Sequence, residues 1–463
     1  MDKQRSYSEI FEVMRTIVPP SVNIYLVGGA VRDMLLNNPI KDYDFVVEGL
    51  VRPIGKKLAD SLNGSYYVLD DEREIVRVVV NSDTDDYSFC VDIARICGEG
   101  LEEDLLARDF TINAIAFDFM KSQTIVDPLL GLTDLKEKRL RMCSPASLEA
   151  DPIRGMRAIR MALEFDLTMD ADLIAALKAV LPLLPTCSME RYRDELGKIL
   201  AIGKNACSIQ LLEKFGFLDF LFPRNETPDI QSLVGWVRSL DHLILILTYK
   251  FNEEASSNIL SATAILLFGQ FRNSLMDYFA HSRRSLLILS TLAGGYGVPE
   301  DKTSKDIVKQ RGKHLILSSE EIKYASNAFS AFKTLQITDF DSAVSDLEMH
   351  RFFGKYGESG IGGFFLFWAE VLSRQDTAQN IDHWKQVLER SRCYFEAWFQ
   401  RYDEVIKPKK LVSGNELSAA LGIASGPKIG MLKKAIIEAQ VERKVFTPED
   451  AVAFAKRVLA DEA

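Results

Sequence analysis

Apolar residues change their spacing once along this chain, and the change sets what it can fold into. From Ile24 to about Asp134 they come in short runs: Ile24–Val27, Phe45–Val47, Tyr66–Leu69, Glu74–Val80 and Tyr87–Ile93, with Asn63-Gly64 and Asn81–Asp86 as turns. From about Asp151 the period becomes helical, with three- and four-residue spacing through Ala171–Leu181, Glu190–Leu200 and Ile209–Phe215. This predicts an α+β chain, a small mixed β-sheet head followed by an elongated all-helical remainder. At 463 residues it has room for three or four compact units. A polar segment at Pro299–Asp306 and the run Lys407-Pro408-Lys409-Lys410 mark further breaks.

The first β-run empties into Gly28-Gly29-Ala30-Val31-Arg32-Asp33, and Lys41-Asp42-Tyr43-Asp44 leads into the second. Paired glycines between a strand and a helix let backbone amides approach a phosphate closely. Asp42 and Asp44, two apart on an extended segment, project from one face. Two carboxylates side by side repel, so a hard cation between them is the natural partner. A phosphate cradle beside a divalent-metal site suits phosphoryl or nucleotidyl transfer. Alone, Asp-x-Asp also fits a solvated turn or a sugar-nucleotide transferase.

Composition excludes other classes. Hydrophobic residues make up 47% and charged residues 26%, an ordinary globular balance. No apolar run reads as long enough to span a bilayer, Leu243–Leu247 being too short, and residues 1–5 lack a signal peptide's apolar stretch. A cytoplasmic location with no membrane partner follows. The six cysteines (90, 97, 143, 187, 207 and 393) show no Cys-x-x-Cys spacing, which predicts reduced, mostly buried thiols. A net charge of −10 means that a polyanion must meet a local basic patch. Leu240–Gly295 is apolar and helical and offers no paired acid and histidine for hydrolytic chemistry.

Downstream lie Arg108-Asp109-Phe110-Thr111-Ile112-Asn113-Ala114, then Asp127-Pro128-x-x-Gly131-x-x-Asp134-Leu135. Asp151-Pro152-x-Arg154-x-x-Arg157-x-x-Arg160 and Glu190-Arg191 follow. With Gly-Gly-x-Val-Arg-Asp and Asp-x-Asp in the same order, this series resembles the class II tRNA nucleotidyltransferase and bacterial poly(A) polymerase family over roughly the first 200 residues.

The resemblance implies a nucleotidyltransferase head at 1–145, a neck with a base-reading helix at 146–220, a helical body at 221–406 and an RNA-binding tail at 407–463. Gly28, Gly29 and Arg32 would meet the incoming triphosphate, a forked cation being suited to phosphate oxygens. Asp42 and Asp44 would hold two magnesium ions, with Asp92 as a third catalytic carboxylate; the rival for Asp92 is a surface acid. Arg108 and Asn113 would bind nucleotide. Positions 151, 154, 157 and 160 recur every three residues and are expected to form one helical ridge. There Asp151 would accept from the exocyclic amine of cytosine or adenine while Arg154 donates to a ring acceptor. Uracil and guanine present a carbonyl and would be refused. Arg157 and Arg160 would orient Arg154 or touch phosphate. The bland alternative makes Asp151 a helix N-cap followed by proline, with the arginines on a solvated face.

Two departures bear on specificity. Ala150 stands where many relatives carry glutamate, and only about fifteen residues separate Asp92 from Arg108. Full CCA-adding members usually carry a longer flexible loop there, so a chain limited to CC or to A addition is expected.

The tail also resembles the family's. Leu411-Val412-Ser413-Gly414 leads to Gly426-Pro427-Lys428-x-Gly430. From Lys407 to Arg457 there are ten Lys/Arg against five Asp/Glu, so positive charge gathers where RNA could bind. Gly426, Lys428, Lys433 and Lys434 are the expected contacts, the alternative being a glycine-rich turn in a small helical cap.

The expected activity is magnesium-dependent addition of C and/or A from CTP or ATP to the 3′ end of tRNA, releasing pyrophosphate. The acceptor-TΨC arm would be the surface gripped, and no protein partner is implied. A poly(A) polymerase shares the head motifs. A catalytically silent RNA-binding protein is the rival from another class. A pI of about 5.3 speaks against promiscuous RNA tailing.

Overall fold

The computed structural model describes residues 7–40, 42–81, 88–224, 226–248, 259–280, 282–299, 304–340, 342–374 and 381–461. Lys41, most of the expected turn at 81–86, Tyr87 and residues 300–303 of the expected polar break lie outside them. Two compact units are present, one of residues 1–195 with 215–217, the other of 196–214 with 218–463. Residues 146–195, expected in the neck, belong to the same unit as the head sheet.

The first unit holds a seven-stranded sheet in the order β3-β4-β5-β2-β1-β6-β7. The strands are β1 (Ile24–Val27), β2 (Asp42–Val47), β3 (Ser65–Asp70), β4 (Ile75–Asn81), β5 (Ser88–Arg95), β6 (Ala116–Asp118) and β7 (Thr124–Val126). The β2–β5 pair is parallel and its neighbours are antiparallel. Strict alternation sorts the side chains. Tyr43, Phe45 and Val47 of β2, Val76, Val78 and Val80 of β4, and Phe89, Val91 and Ile93 of β5 all enter one core. Asp44, Arg77 and Asp92, the intervening residues, are left for the other face.

Helices α1 (Tyr7–Ile17), α2 (Gly29–Leu35) and α3 (Val51–Leu62) cover the apolar face. On α3 the buried residues are Val51, Ile54, Gly55, Leu58 and Ala59, one helical stripe. Gly55 lets α3 lie tight on β4, since a Cβ there would sit 2.7 Å from Val76 Cγ2. Further along the chain come α4 (Leu101–Leu106), which reaches the opposite face, α5 (Gly131–Lys136), α6 (Ser147–Ala150) and α7 (Arg154–Glu164). A smaller core of Val27, Val46, Leu105, Ala114 and Ala116 forms on that face.

The second unit is helical. Gly363 lets helices Ser319–Gln336 and Ser359–Ser373 approach so closely that a Cβ would lie 2.5 Å from that of Ala331. Trp368, Phe395, Phe268 and Phe364 build an aromatic centre. Helices Gly414–Leu421, Pro427–Val441 and Pro448–Asp461 enclose a core of their own around Leu417, Leu432 and Ile436.

Two sequence expectations are corrected. Helix Ile230–Thr248 is long and apolar enough, by length and composition, to cross a membrane. Leu243–Leu247 is only the most apolar stretch of this 19-residue helix, in which Leu233, Val237, Leu240 and Leu243 are buried within the helical unit. The cysteines are free, as expected, yet none is fully buried, and Cys97 and Cys207 are exposed.

Candidate active site

The open face of the head sheet gathers the charged residues. β2 starts at Asp42, exposed at the strand mouth, and Asp44 lies half-buried one pleat further in. Parallel register sets Asp44 opposite Asp92, and antiparallel register sets Arg77 of β4 opposite Asp92 on its other side. Arg77 donates from Nε and Nη2 to the two Asp92 oxygens, each at 2.7 Å. Asp92 therefore sits beside the pair, as expected of a third carboxylate, but a guanidinium already compensates it.

Among the described residues Asp44 has no such partner. Burial and the adjacent Asp92 push its carboxyl up to about 6; Asp42 adds to this, while Arg108 and Arg77 pull the other way. Such incompletely compensated negative charge fits a hard cation. Among the described residues no group of three or more His, Cys, Asp or Glu side chains converges in metal-binding geometry. An ion held by Asp42 and Asp44 would thus take its remaining oxygens from phosphate and water, the habit of magnesium rather than of zinc.

Gly28 caps α2 in the left-handed region, φ 73°, and glycine is required there twice over. A Cβ would stand 3.0 Å from Arg108 Nη1 and 3.5 Å from Asp44 Oδ2. The glycine bend, the acid and Arg108 therefore share one small volume. Arg108 is steadied by Asp104, 3.0 Å from its Nη2, four residues earlier on α4. The connection from β5 into α4 is short and tied down: Asp104 Oδ1 accepts from the Cys97 amide at 3.1 Å, and Glu103 accepts from the Glu99 amide at 2.9 Å.

Arg32 lies deeper than expected for a triphosphate contact. It is 7% exposed, with Nη1 donating to Asn113 Oδ1 at 2.7 Å, Nε to Asp33 at 3.0 Å, and its guanidinium 4.1 Å above the Phe165 ring. Asn113 in turn donates to Asp109 at 3.0 Å, and Asp109 pairs with Arg157 at 2.8 Å. Burial pushes the Asp109 carboxyl up, yet Arg157, Asn113 and the Phe110 amide together hold it below its ordinary value. This chain joins α2, the Arg108–Asn113 segment and α7. The Asp127–Asp134 motif braces the same segment from behind. Buried Asp134 accepts from Thr111 at 2.7 Å and from Arg141 at 2.8 Å, while Asp127 accepts from the Gly131 amide at 2.7 Å.

The expected ridge from Asp151 needs correction. α7 starts at Arg154, and Asp151 is extended, φ −149°, ψ 95°. The cause is Pro152, which drives the residue before it out of the helical region. Asp151 caps no helix with its side chain. It pairs with Arg191 of the helix Met189–Ala201, at 3.0 and 2.7 Å. Arg154 donates to the carbonyls of Ala107 and Arg108, both at 3.1 Å, and to Ser147 Oγ at 2.8 Å. Its donors thereby hold the Arg108 strap against α7. Arg157 is committed to Asp109, and Arg160 binds Glu195 and Glu164.

In the second unit Gly426 caps helix Pro427–Val441 at φ 173°, extended backbone that needs no glycine. Lys428 and Lys434 are exposed and Lys433 is half-exposed on that helix. A cavity of about 780 Å³ in this unit, bordered by Trp236, Phe332 and Lys333, holds none of the candidate residues.

Arg77, Asp104 and Asp109 were missed from sequence. Asp104 had a signal, the four-residue helical spacing to Arg108. Arg77 and Asp109 had none, because strand register and the α7 contact are nonlocal.

A strand, a glycine bend, paired acids and a guanidinium on one sheet face define a nucleotidyltransferase-type head. Residues 24–141 match the family described as Poly A polymerase head domain, and residues 166–226 match "Probable RNA and SrmB- binding site of polymerase A". The chain is 30% identical over 444 residues to an A-adding tRNA nucleotidyltransferase of Deinococcus radiodurans, covering 93% of this chain and 94% of that protein. It is 37% identical over 186 residues to a CC-adding tRNA nucleotidyltransferase of Synechocystis, covering 40% and 42% of the two chains. A Thermotoga maritima CCA-adding enzyme complexed with tRNA-CCA matches the fold at TM-score 0.64 and 20% identity, covering 99% and 96%. The chain belongs to the class II tRNA nucleotidyltransferase family.

Proposed function

We propose that this chain adds C and/or A from CTP or ATP to the 3′ end of tRNA, without a nucleic-acid template, in the cytoplasm. The observation that carries this is incompletely compensated Asp44 beside Asp42, within one small volume of Gly28 and Arg108. Likeness to an A-adding enzyme along nearly the whole chain supports it. Asp42 and Asp44 would hold magnesium, which supplies Lewis-acid activation of the attacking hydroxyl and charge relief for the leaving pyrophosphate.

The chain's own groups do the rest. The Gly28 bend and the start of α2 offer close-approaching amides to the triphosphate, and Arg108 adds a forked cation next to Asp44. Arg32, Asn113, Asp109 and Arg157 hold these elements in register. Asp151 accepts from the exocyclic amine of C or A. Arg154 retains its Nε–H and one Nη2–H without a partner among the described residues, and these donors serve the ring acceptor. The tail lysines, Lys428, Lys433 and Lys434 beside Gly426, meet RNA phosphate.

The fastened 96–100 connection between β5 and α4 favours a restricted product over all three nucleotides. The experiment presents tRNA truncated before C, CC and CCA to the enzyme with each nucleotide separately. Addition of A alone to a CC end, or of CC alone, supports restriction; complete CCA synthesis overturns it. Long A tails on an unstructured RNA would move the assignment to a poly(A) polymerase, with which residues 24–141 share their head.

A further inference from the structure

The charged residues on the open face of the head sheet stand in a row. Register sets Asp92 beside Asp44 on one side and beside Arg77 on the other, and β1, the strand beyond Asp44, runs into Gly28. Across the face the order is therefore Gly28 with Arg108, then Asp44, Asp92 and Arg77, with neighbouring strands about 4.8 Å apart.

The proposed triphosphate site lies at the Gly28 end of this row, so pyrophosphate leaves toward that end. Displacement at the α-phosphorus runs in line, and the attacking hydroxyl enters from the opposite side. On that side stands Asp92, and beyond it Arg77. The RNA terminus brings its own phosphodiester toward Asp42, Asp44 and Asp92, a repulsive approach unless a cation meets it.

Arg77 has the features of that cation. It is the only charged residue of β4, its neighbours Val76 and Val78 are buried in the core, and its own side chain is 41% exposed. Asp92 takes Nε–H and one Nη2–H of its five donors. Nη1 has no partner among the described residues, so the guanidinium can hold Asp92 and a phosphate oxygen at once.

We propose that Arg77 binds the RNA 3′ end, holding the phosphodiester on the 5′ side of the terminal ribose and so aiming the 3′-hydroxyl past Asp92 at the α-phosphate. This rests on the triphosphate placement and the tRNA-extending activity proposed above.

The test uses the full chain, wild type and Arg77→Gln, on truncated tRNA whose last linkage is a native phosphodiester or a neutral methylphosphonate. It measures kcat/KM for extension, KM for CTP and ATP, and melting temperature. With native RNA, Arg77→Gln is expected to lower kcat/KM about tenfold. The methylphosphonate is expected to cost wild type about tenfold but the variant less than about twofold, because its contact is already gone. KM for CTP and ATP stays near wild type. Arg77→Lys keeps the charge without the fork and retains part of the methylphosphonate penalty. Equal penalties in wild type and folded Arg77→Gln overturn the proposal and leave Arg77 as a partner of Asp92 alone. Should Arg77→Gln fail to melt cooperatively, Arg77→Met, apolar like its strand neighbours, takes its place under the same criterion. A wild-type enzyme that adds neither C nor A to native tRNA overturns the functional reading instead, so the two failures are distinct.

Discussion

Asp44 and Asp92 face each other across the parallel β2–β5 pair, and among the described residues only Asp92 of the two has a guanidinium holding both its oxygens. The sheet thus places one compensated and one incompletely compensated carboxylate side by side. Neutralising both would remove the reason for a cation to bind, and leaving both unpaired would add the desolvation cost of a second carboxylate.

The Asp44 carboxyl is raised from 3.8 to about 6, so a metal ion bound there as proposed would compete with a proton near that pH. Activity at limiting magnesium should fall as pH drops through about 6, and excess magnesium should shift that midpoint downward. A pH–rate series at two metal concentrations checks this; EDTA should abolish activity at every pH.

The same shift has a stability consequence. Because the folded value exceeds the unfolded one, the folded chain binds the extra proton and loses stability as pH rises through the window from 3.8 to about 6. Asp44→Asn should therefore stabilise the metal-free protein at pH 7.5 by up to about 3 kcal/mol while destroying activity. Denaturant melts in EDTA measure the gain.

Gly28→Ala places a methyl in the left-handed region and against Arg108 and Asp44, and should cost about 1–2 kcal/mol and at least about tenfold in kcat/KM. Gly131→Ala should cost more stability, because its Cβ would lie 2.1 Å from the Thr111 carbonyl oxygen. Gly430→Ala, in a helix with nothing within 4 Å, should instead stabilise by about 0.5–1 kcal/mol. Thermal melts of the three variants order them.

Asp109→Asn leaves Arg157 without its anion and weakens the link to Asn113 and Arg32. The expected cost is about 3 kcal/mol, with a raised KM for nucleotide. The Asp109 carboxyl is held low, so its contribution is present above its unfolded value and fades as pH falls through the folded one. The wild-type-to-variant stability difference should shrink in acid.

Removing Lys428, Lys433 or Lys434 should raise KM for tRNA several-fold and lower the slope of log affinity against log salt by about 1 for each lysine that meets phosphate. KM for CTP or ATP should not follow. Filter binding across salt concentrations gives the slope.

Much of the head was legible in sequence because its strands alternate. Ile24–Val27 was read to the residue, and β4 and β5 differ from their expected bounds by one or two positions within the described residues. β6 and β7, three residues each, are too short to show alternation and escaped. The motif residues were legible as types, but not their partners. Nothing local announces that Arg77 faces Asp92 or that Asp109 holds Arg157. The three-residue rhythm from Asp151 predicts a ridge, but Pro152 keeps Asp151 extended and α7 begins only at Arg154.

The most direct test is single-turnover addition to truncated tRNA in magnesium by wild type and by the Asp42→Ala/Asp44→Ala variant, with folding checked by melting. The account predicts C or A addition by wild type and a loss of at least about a thousandfold in the folded variant. Unchanged addition by that variant would contradict it.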